Sequence, residues 1–544
     1  MNTRQLQTDK NQKLYHALLG ILLVCALAMM MLLSYWACKY SYYGAVDGRT
    51  RGVLVGDKTW AHIAVFFAAS LCAMGIDKVL MKKDKSQQEK ICLCTLIVTS
   101  VIAFILGVFY VCKNPYYPVG DQINTTAFAA YCRDGNFSML SIGGYVGMYQ
   151  QQKGLAILYE ILFTLFGDFN YRPAKILHVV WWILTILAGY GFLKLNTDRP
   201  VFRMLYCVMM LGCFPLLFYL PYIYGDVLSI SFGIILFYGV AAYEHSGQKR
   251  YIALASFAAG LAVLARKNTW IVLVAVAVYV LLVSLRKKKV RYLMAGTAIL
   301  LTAALSVKAV DVIYEVRSGY PSGVGIPSIL WVAMGLQETE GRAGVYNRYQ
   351  QATFTDYDCQ QELAAQQGKE YIRERLEEFS QDPGMAFNFF KNKVEGQWIE
   401  PMYAALESTE SFEEGAELSP VLESLYYGEL GRTIWKLTNY YQSILYLAGL
   451  MALVMLGILW WKKKEVPISL WLPWIAVFGG FLFSILWEAK SRYVFPYCVF
   501  MILYAPEGLY QTGLLLCKLP KLRKFKKSGH TQDKGEEAPL RETA

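Results

Sequence analysis

A carboxylate held in a Pro- and Gly-braced turn next to an apolar span has the chemistry of a general base acting on a hydroxyl group. Asp121 stands in such a turn, Asn114-Pro-Tyr-Tyr-Pro-Val-Gly-Asp-Gln122, and opens a plausible helix running to Arg133. The same position suits a helix N-cap, so both roles are open to it. Asp226, in Tyr224-Gly225-Asp226, precedes another apolar run. It reads as a helix cap, as an aid to the base, as a partner of Asp121 on a divalent ion, or as an orienting group. Two short turns add cations: Arg266 and Lys267 in Leu264-Ala265-Arg266-Lys267-Asn268-Thr269-Trp270, and Lys490 and Arg492 in Glu488-Ala489-Lys490-Ser491-Arg492-Tyr493. Basic side chains at such places bind an anion or snorkel to headgroups. Glu160 and Glu488 are expected to pair with nearby cations and brace these turns.

The elements that must position these groups are membrane helices. The chain has 544 residues, 56% hydrophobic and 17% charged, which rules out a disordered or nucleic-acid-coating protein. Apolar runs long enough to cross a hydrocarbon core of about 30 Å recur along it. The expected fold class is an all-α polytopic membrane protein. Twelve spans are expected at about 14–36, 59–80, 91–112, 173–194, 203–221, 226–243, 251–265, 269–285, 291–310, 441–461, 466–486 and 491–514. The net charge of +12 is concentrated in short connections. If twelve spans alternate, Lys82 to Lys90, Arg286 to Lys289, Lys462 to Lys464 and Lys518 to Lys527 share one side. Enrichment of cytoplasmic connections in Lys and Arg then puts both termini in the cytoplasm of a plasma-membrane protein, and the candidate residues on the outer side.

The expected organisation is N-terminal spans in 1–112, a membrane core in 113–310 with a first outer loop 113–172, a large outer segment 311–440, C-terminal spans in 441–514, and a basic polar tail 515–544 that ends disordered. Gly154 to Phe166 is too short to span and suits the interface. Gln360 to Phe379 has an acidic-basic helical pattern stopped by Asp382-Pro383-Gly384, and Met385 to Trp398 again suits an interfacial helix. Most cysteines fall in apolar runs and read as packing residues, with one bridge between Cys132 and Cys359 left open. The five histidines are scattered without metal-ligand spacing, so no metal site is expected from them.

The order of motifs then adds a resemblance. Asp121-Gln122 is followed by Ala129-Ala130-Tyr131-Cys132-Arg133-Asp134-Gly135-Asn136-Phe137, Gly144-Tyr145, Gln151-Gln152-Lys153-Gly154 and Leu165-Phe166-Gly167. This resembles the first outer loop of polytopic GT-C glycosyltransferases, particularly the bacterial protein mannosyltransferase-like, family 39-like branch. The proline usual near the glutamine is absent from Tyr149-Gln150-Gln151-Gln152. Residues 264–270 are similar to the short paired spans of these enzymes, 488–496 to the Arg-Tyr-x-x-Pro pattern near their last spans, and 380–401 to a stretch in bacterial members.

The resemblance implies a GT-C-like fold and a polyprenyl-phosphate sugar donor. The acceptor would be a cell-envelope glycan, lipid or protein, and transfer would proceed with inversion. It implies Asp121 as the catalytic base, and Asp226, from its own place at a span end, is the second candidate catalytic residue, with helix capping as the alternative. Gln122, Gln151, Arg266, Lys267, Glu488, Lys490, Arg492 and Tyr493 would contact substrate. No cofactor is required, and a divalent cation is compatible. The absence of a P-loop, a Rossmann fingerprint, or a DxD in the cytoplasmic connections also favours a lipid-linked donor. Tyr117, Tyr145 and Tyr149 suit sugar stacking or an aromatic belt. The competing expectations are a transporter or flippase of a lipid-linked sugar, and a lipid-linked oligosaccharide polymerase or ligase.

Overall fold

The architecture comes from a computed structural model that describes residues 3–43, 53–464 and 466–529. Among the described residues, nine helices are long and apolar enough to cross a membrane. They match nine of the expected spans. The other three are shorter or broken. Lys249–Ala265 is a helix of 17 residues. Pro200–Gly212 ends at Cys213 and restarts as the short helix Phe214–Phe218, with Pro215 in its first turn. The last begins as Ser491–Met501, with Pro496 inside it, and resumes as Ala505–Gly529. The break before Pro215 and the break before Pro506 each fall where a proline withholds the N–H that a continuous helix needs, whereas Pro496 is carried inside a helix.

The surface identifies the surrounding medium. On Lys85–Lys113, Leu93, Ile97, Val101, Phe104, Ile105 and Phe109 are all exposed, at helical spacing. Val290–Ser318 likewise exposes Leu293, Met294, Leu301, Leu305 and Val316. Such stripes are unfavourable in water and unremarked in hydrocarbon, so this is an integral membrane protein. Inside, one continuous core runs from Tyr15 to Tyr510. Thr3–Lys39 packs on Glu429–Trp461, and Thr59–Leu80 on Ala505–Gly529. The expected N-terminal and C-terminal span groups are therefore one packed region. Asp226–Ser246 is the most enclosed spanning helix, with 89% of its apolar window buried. It leads from Asp226 at one end of the bundle to Glu244 at the other, where Glu244 accepts from Lys287 at 2.8 Å and from the Ser469 N–H at 2.8 Å. The cation-rich turn 286–289 thus sits at the opposite end from the candidate residues.

The connecting segments fold as helices and two small hairpins. Lys153–Phe166 is a helix whose Gly154 touches Leu264, and a Cβ there would lie 2.5 Å from the Leu264 carbonyl oxygen. Its Glu160 pairs through contacts of 2.6 Å and 3.0 Å with Arg317, in the last turn of Val290–Ser318, rather than with either of the two basic turns. Gln361–Gln381 ends at Asp382, whose carboxylate caps Pro383–Trp398 by accepting from the Met385 N–H at 2.9 Å. Lys393 departs from the interfacial expectation. It is buried and donates to the Gly335 carbonyl instead of reaching outward.

The all-α expectation also misses two antiparallel hairpins, Tyr40–Tyr43 with Val53–Gly56 and Glu338–Thr339 with Arg342–Ala343. The expected tail is helical through Gly529, while 530–544 lie outside the described residues. Cys132 and Cys359 are unbridged.

Candidate functional site

Four polar turns converge on one cavity of about 1010 Å³. The first carries Asp121. Gly120 has φ +57°, a left-handed conformation that bends the chain into the helix Asp121–Arg133. Asp121 is exposed to the cavity, and the Tyr145 hydroxyl donates to its Oδ1 at 2.8 Å. Asp121 opens the helix, but its side chain makes no cap bond, the N-cap being Gly120.

The second and third turns meet backbone to backbone. A Cβ on Gly225 would lie 2.0 Å from the Ala265 carbonyl oxygen, so only glycine lets the start of Asp226–Ser246 approach the end of Lys249–Ala265 this closely. The approach sets Asp226 beside Arg266, with Oδ1 3.5 Å from Arg266 Nη2. The fourth turn brings Arg492, whose Nε lies 4.0 Å from the same Oδ1. Asp226 is 3% exposed and lies beneath the cavity, in a void of about 20 Å³ shared with Arg266 and Arg492. It is the counter-ion of two guanidinium groups and makes no side-chain cap. Its Oδ2 and Arg492 Nε are buried without a hydrogen-bond partner among the described residues.

Aromatic rings complete the cationic corner. The Arg266 guanidinium sits 4.7 Å from the Tyr224 ring centre and 5.6 Å from that of Tyr493. Arg492 lies 5.2 Å from the Tyr222 ring centre and also contacts the Tyr222 hydroxyl. Burial is the largest single influence on Arg266 and opposes its charge, but Asp226, Tyr224, Tyr493 and Asp121 together outweigh it. The candidate base and the candidate anion ligand are therefore within electrostatic reach of each other across the cavity.

Arg266, Lys267, Gln151, Glu488, Lys490, Arg492 and Tyr493 all line the cavity. Gln122 does not. It is 3% exposed, and its Oε1 accepts from the Tyr116 hydroxyl at 2.5 Å, which makes it part of the scaffold under the Pro-rich turn. The glutamine that ties the site together is Gln152. It accepts from Thr125 at 3.3 Å and donates to the Tyr224 hydroxyl at 2.5 Å. Its signal in the sequence was the Gln triplet, whose phase decides which member points inward. Tyr117 packs edge-on against Tyr171, whereas Tyr145 and Tyr149 line the cavity.

Sequence reading missed Lys393, Glu400 and Glu407, which also line the cavity. Burial pushes the Lys393 amine down to about 7, against the pull of Glu488. Burial, aided by Glu407, raises the Glu400 carboxyl to about 8. Burial also raises the Glu488 carboxyl to about 7, opposed by Lys490. Isolated charges in a connecting segment carry no sign that folding will bury them. Among the described residues, no three His, Cys, Asp or Glu side chains gather to hold a metal ion.

The arrangement offers an accessible carboxylate, two largely enclosed guanidinium groups, and room for more than one small ligand. The chain matches no protein-family model, no curated protein and no solved structure.

Proposed function

We propose that the protein is a membrane glycosyltransferase of GT-C type, moving a sugar from a polyprenyl phosphate to an acceptor hydroxyl at the outer face of the membrane. The observation that carries this reading is that Asp121, braced by Tyr145, and Arg266 line the same cavity although distant in sequence. In this reading Asp121 takes the proton of the acceptor hydroxyl as its oxygen attacks the anomeric carbon. The bond from that carbon to the phosphate oxygen breaks, and the electron pair leaves with the phosphate. Arg266, with Arg492 and Lys267 beside it, stabilises the charge that builds there. Attack opposite the leaving group inverts the anomeric centre. Asp226 keeps the two guanidinium groups together against their mutual repulsion. The reading requires no cofactor; a divalent cation remains compatible with it.

The test is transfer by detergent-purified full-length protein, supplied with radiolabelled polyprenyl-phosphate hexoses and candidate glycan, lipid and peptide acceptors. Label moving from one donor class to an acceptor supports the reading. Label crossing a vesicle membrane with its glycosidic bond intact overturns it in favour of a flippase. A product many sugars long replaces it with a polymerase.

The buried Glu488, Lys393 and Glu400 of the cavity predict a pH dependence. Above about pH 7, Glu488 gains negative charge and Lys393 loses positive charge. Glu400 follows near pH 8. All three changes make the cavity less positive, while a phosphodiester donor keeps its single charge. Donor KM is expected to rise about fivefold between about pH 6 and pH 8.5, an electrostatic change of roughly 1 kcal/mol. Glu488→Gln is expected to flatten the rise. Steady-state kinetics across this range checks it, and a KM that falls with pH contradicts the assignment.

A further inference from the structure

The wall that begins at Tyr145 differs in chemistry from the cationic corner. From the ring that binds Asp121, aromatic side chains follow one another across the cavity. Tyr145 and Tyr149 lie 5.1 Å apart by ring centres, and Tyr149 meets Trp331 edge-on at 6.2 Å. Trp331 and Trp487 are 5.9 Å apart and within 4° of parallel. All four line the cavity, and Tyr145, Tyr149 and Trp487 are only half-buried. The two indoles come from distant parts of the chain. They are brought together because Gly335, at the end of the helix Ile329–Gly335, meets Leu486 so closely that a Cβ would lie 2.4 Å from the Leu486 carbonyl oxygen.

Beside these rings, Gln350 lines the same cavity. It is 1% exposed, its amide lies beside the Tyr149 hydroxyl, and its Oε1 has no hydrogen-bond partner among the described residues. A buried amide oxygen left unpaired costs roughly 1–3 kcal/mol, so a ligand O–H that meets it has something to gain. A pyranose offers both complements, an apolar C–H face for an aromatic ring and a rim of O–H donors for an amide oxygen. An acyl chain has no donor for Gln350.

We infer that this wall is the acceptor subsite, and that the acceptor is a carbohydrate lying on Tyr149 and Trp487, which Trp331 backs, with one hydroxyl donating to Gln350. The inference rests on the glycosyltransferase reading and narrows its acceptor from glycan, lipid or protein to glycan. The bound sugar's reacting hydroxyl is the one at the Tyr145 end, where Asp121 stands.

The test uses the full chain in lipid nanodiscs, with neutral trisaccharides of glucose, mannose, galactose and N-acetylglucosamine as probes, read by saturation-transfer NMR. At least one trisaccharide is expected to bind saturably. Trp487→Ala is expected to weaken it about tenfold, Gln350→Leu about fivefold, and Trp487→Phe little, since a ring face remains. The last two variants keep the test decisive if the alanine protein does not fold. Failure of every trisaccharide to bind, or binding unchanged in all variants, overturns the inference. Donor transfer is measured on the same preparations. Transfer without trisaccharide binding removes the carbohydrate subsite and leaves the transferase, whereas binding without transfer from any polyprenyl donor removes the transferase and leaves the saccharide site.

Discussion

Asp121→Asn protein is expected to fold, to bind donor with little change, and to lose between about 10²- and 10⁴-fold in transfer rate. The amide is nearly isosteric, and its oxygen can still accept from the Tyr145 hydroxyl that holds the carboxylate at 2.8 Å. What it cannot do is take a proton. The helix that follows does not depend on the side chain, because Asp121 contributes its backbone carbonyl to Thr125 and no cap bond. Tyr145→Phe removes the brace and leaves the base, so a loss nearer tenfold is expected, with rate and not donor KM affected. Single-turnover measurements at saturating donor separate these cases. Full activity in Asp121→Asn ends its assignment as the base, whatever becomes of the rest of the site.

The second large effect belongs to Arg266. Its removal takes one cation from the place where phosphate charge would build, and a lost electrostatic contact of this kind typically costs 10²- to 10³-fold in turnover. It also strips Asp226 of its nearer partner, 3.5 Å away, inside a region where Asp226 is 3% exposed. Breaking one side of a buried pair costs about 3–5 kcal/mol, because the remaining charge is left unpaired. Arg492 softens this, since it approaches the same oxygen at 4.0 Å. Arg266→Ala is therefore expected to be both less stable and nearly inactive. Asp226→Asn in the same protein separates the two causes. The double variant removes the lone carboxylate but leaves Arg492, 7% exposed, without its counter-ion, so it is expected to recover only part of the thermal stability in detergent, while transfer stays lost. Recovery of transfer as well would mean that Arg266 serves only to neutralise Asp226. Arg266→Lys is expected to keep part of the stability and less of the rate, as a point charge cannot reproduce a planar, stacked guanidinium over Tyr224.

These expectations combine information from two sources. The apolar runs announced a membrane protein, because a lipid-facing helix must be apolar over its whole length and that demand is written locally. Proline and glycine announced where helices start and stop, at Gly120 before Asp121 and at Asp382-Pro383 between two helices of the long connecting segment, because both residues act through their own backbone. Cations in the turns at Arg266 and at Lys490 to Arg492 were conspicuous for the same reason, being out of keeping with their immediate surroundings.

Partnerships were not legible in this way. That Asp226 neutralises two arginines and caps nothing depends on two helix ends meeting at Gly225 and Ala265. Gln122 turning into the scaffold while Gln152 reaches Tyr224 is a matter of helix phase, which a run of similar residues does not specify. Lys393, expected at an interface, is buried because Gly335 and the Glu488 turn close over it. The aromatic wall from Tyr145 to Trp487 unites three separate stretches of chain, and their meeting is decided by packing across the whole bundle. Membrane insertion and helix ends follow from short-range backbone and solvation energies. Charge pairing and cavity shape follow from contacts between residues hundreds of positions apart, which exist only once the helices have docked.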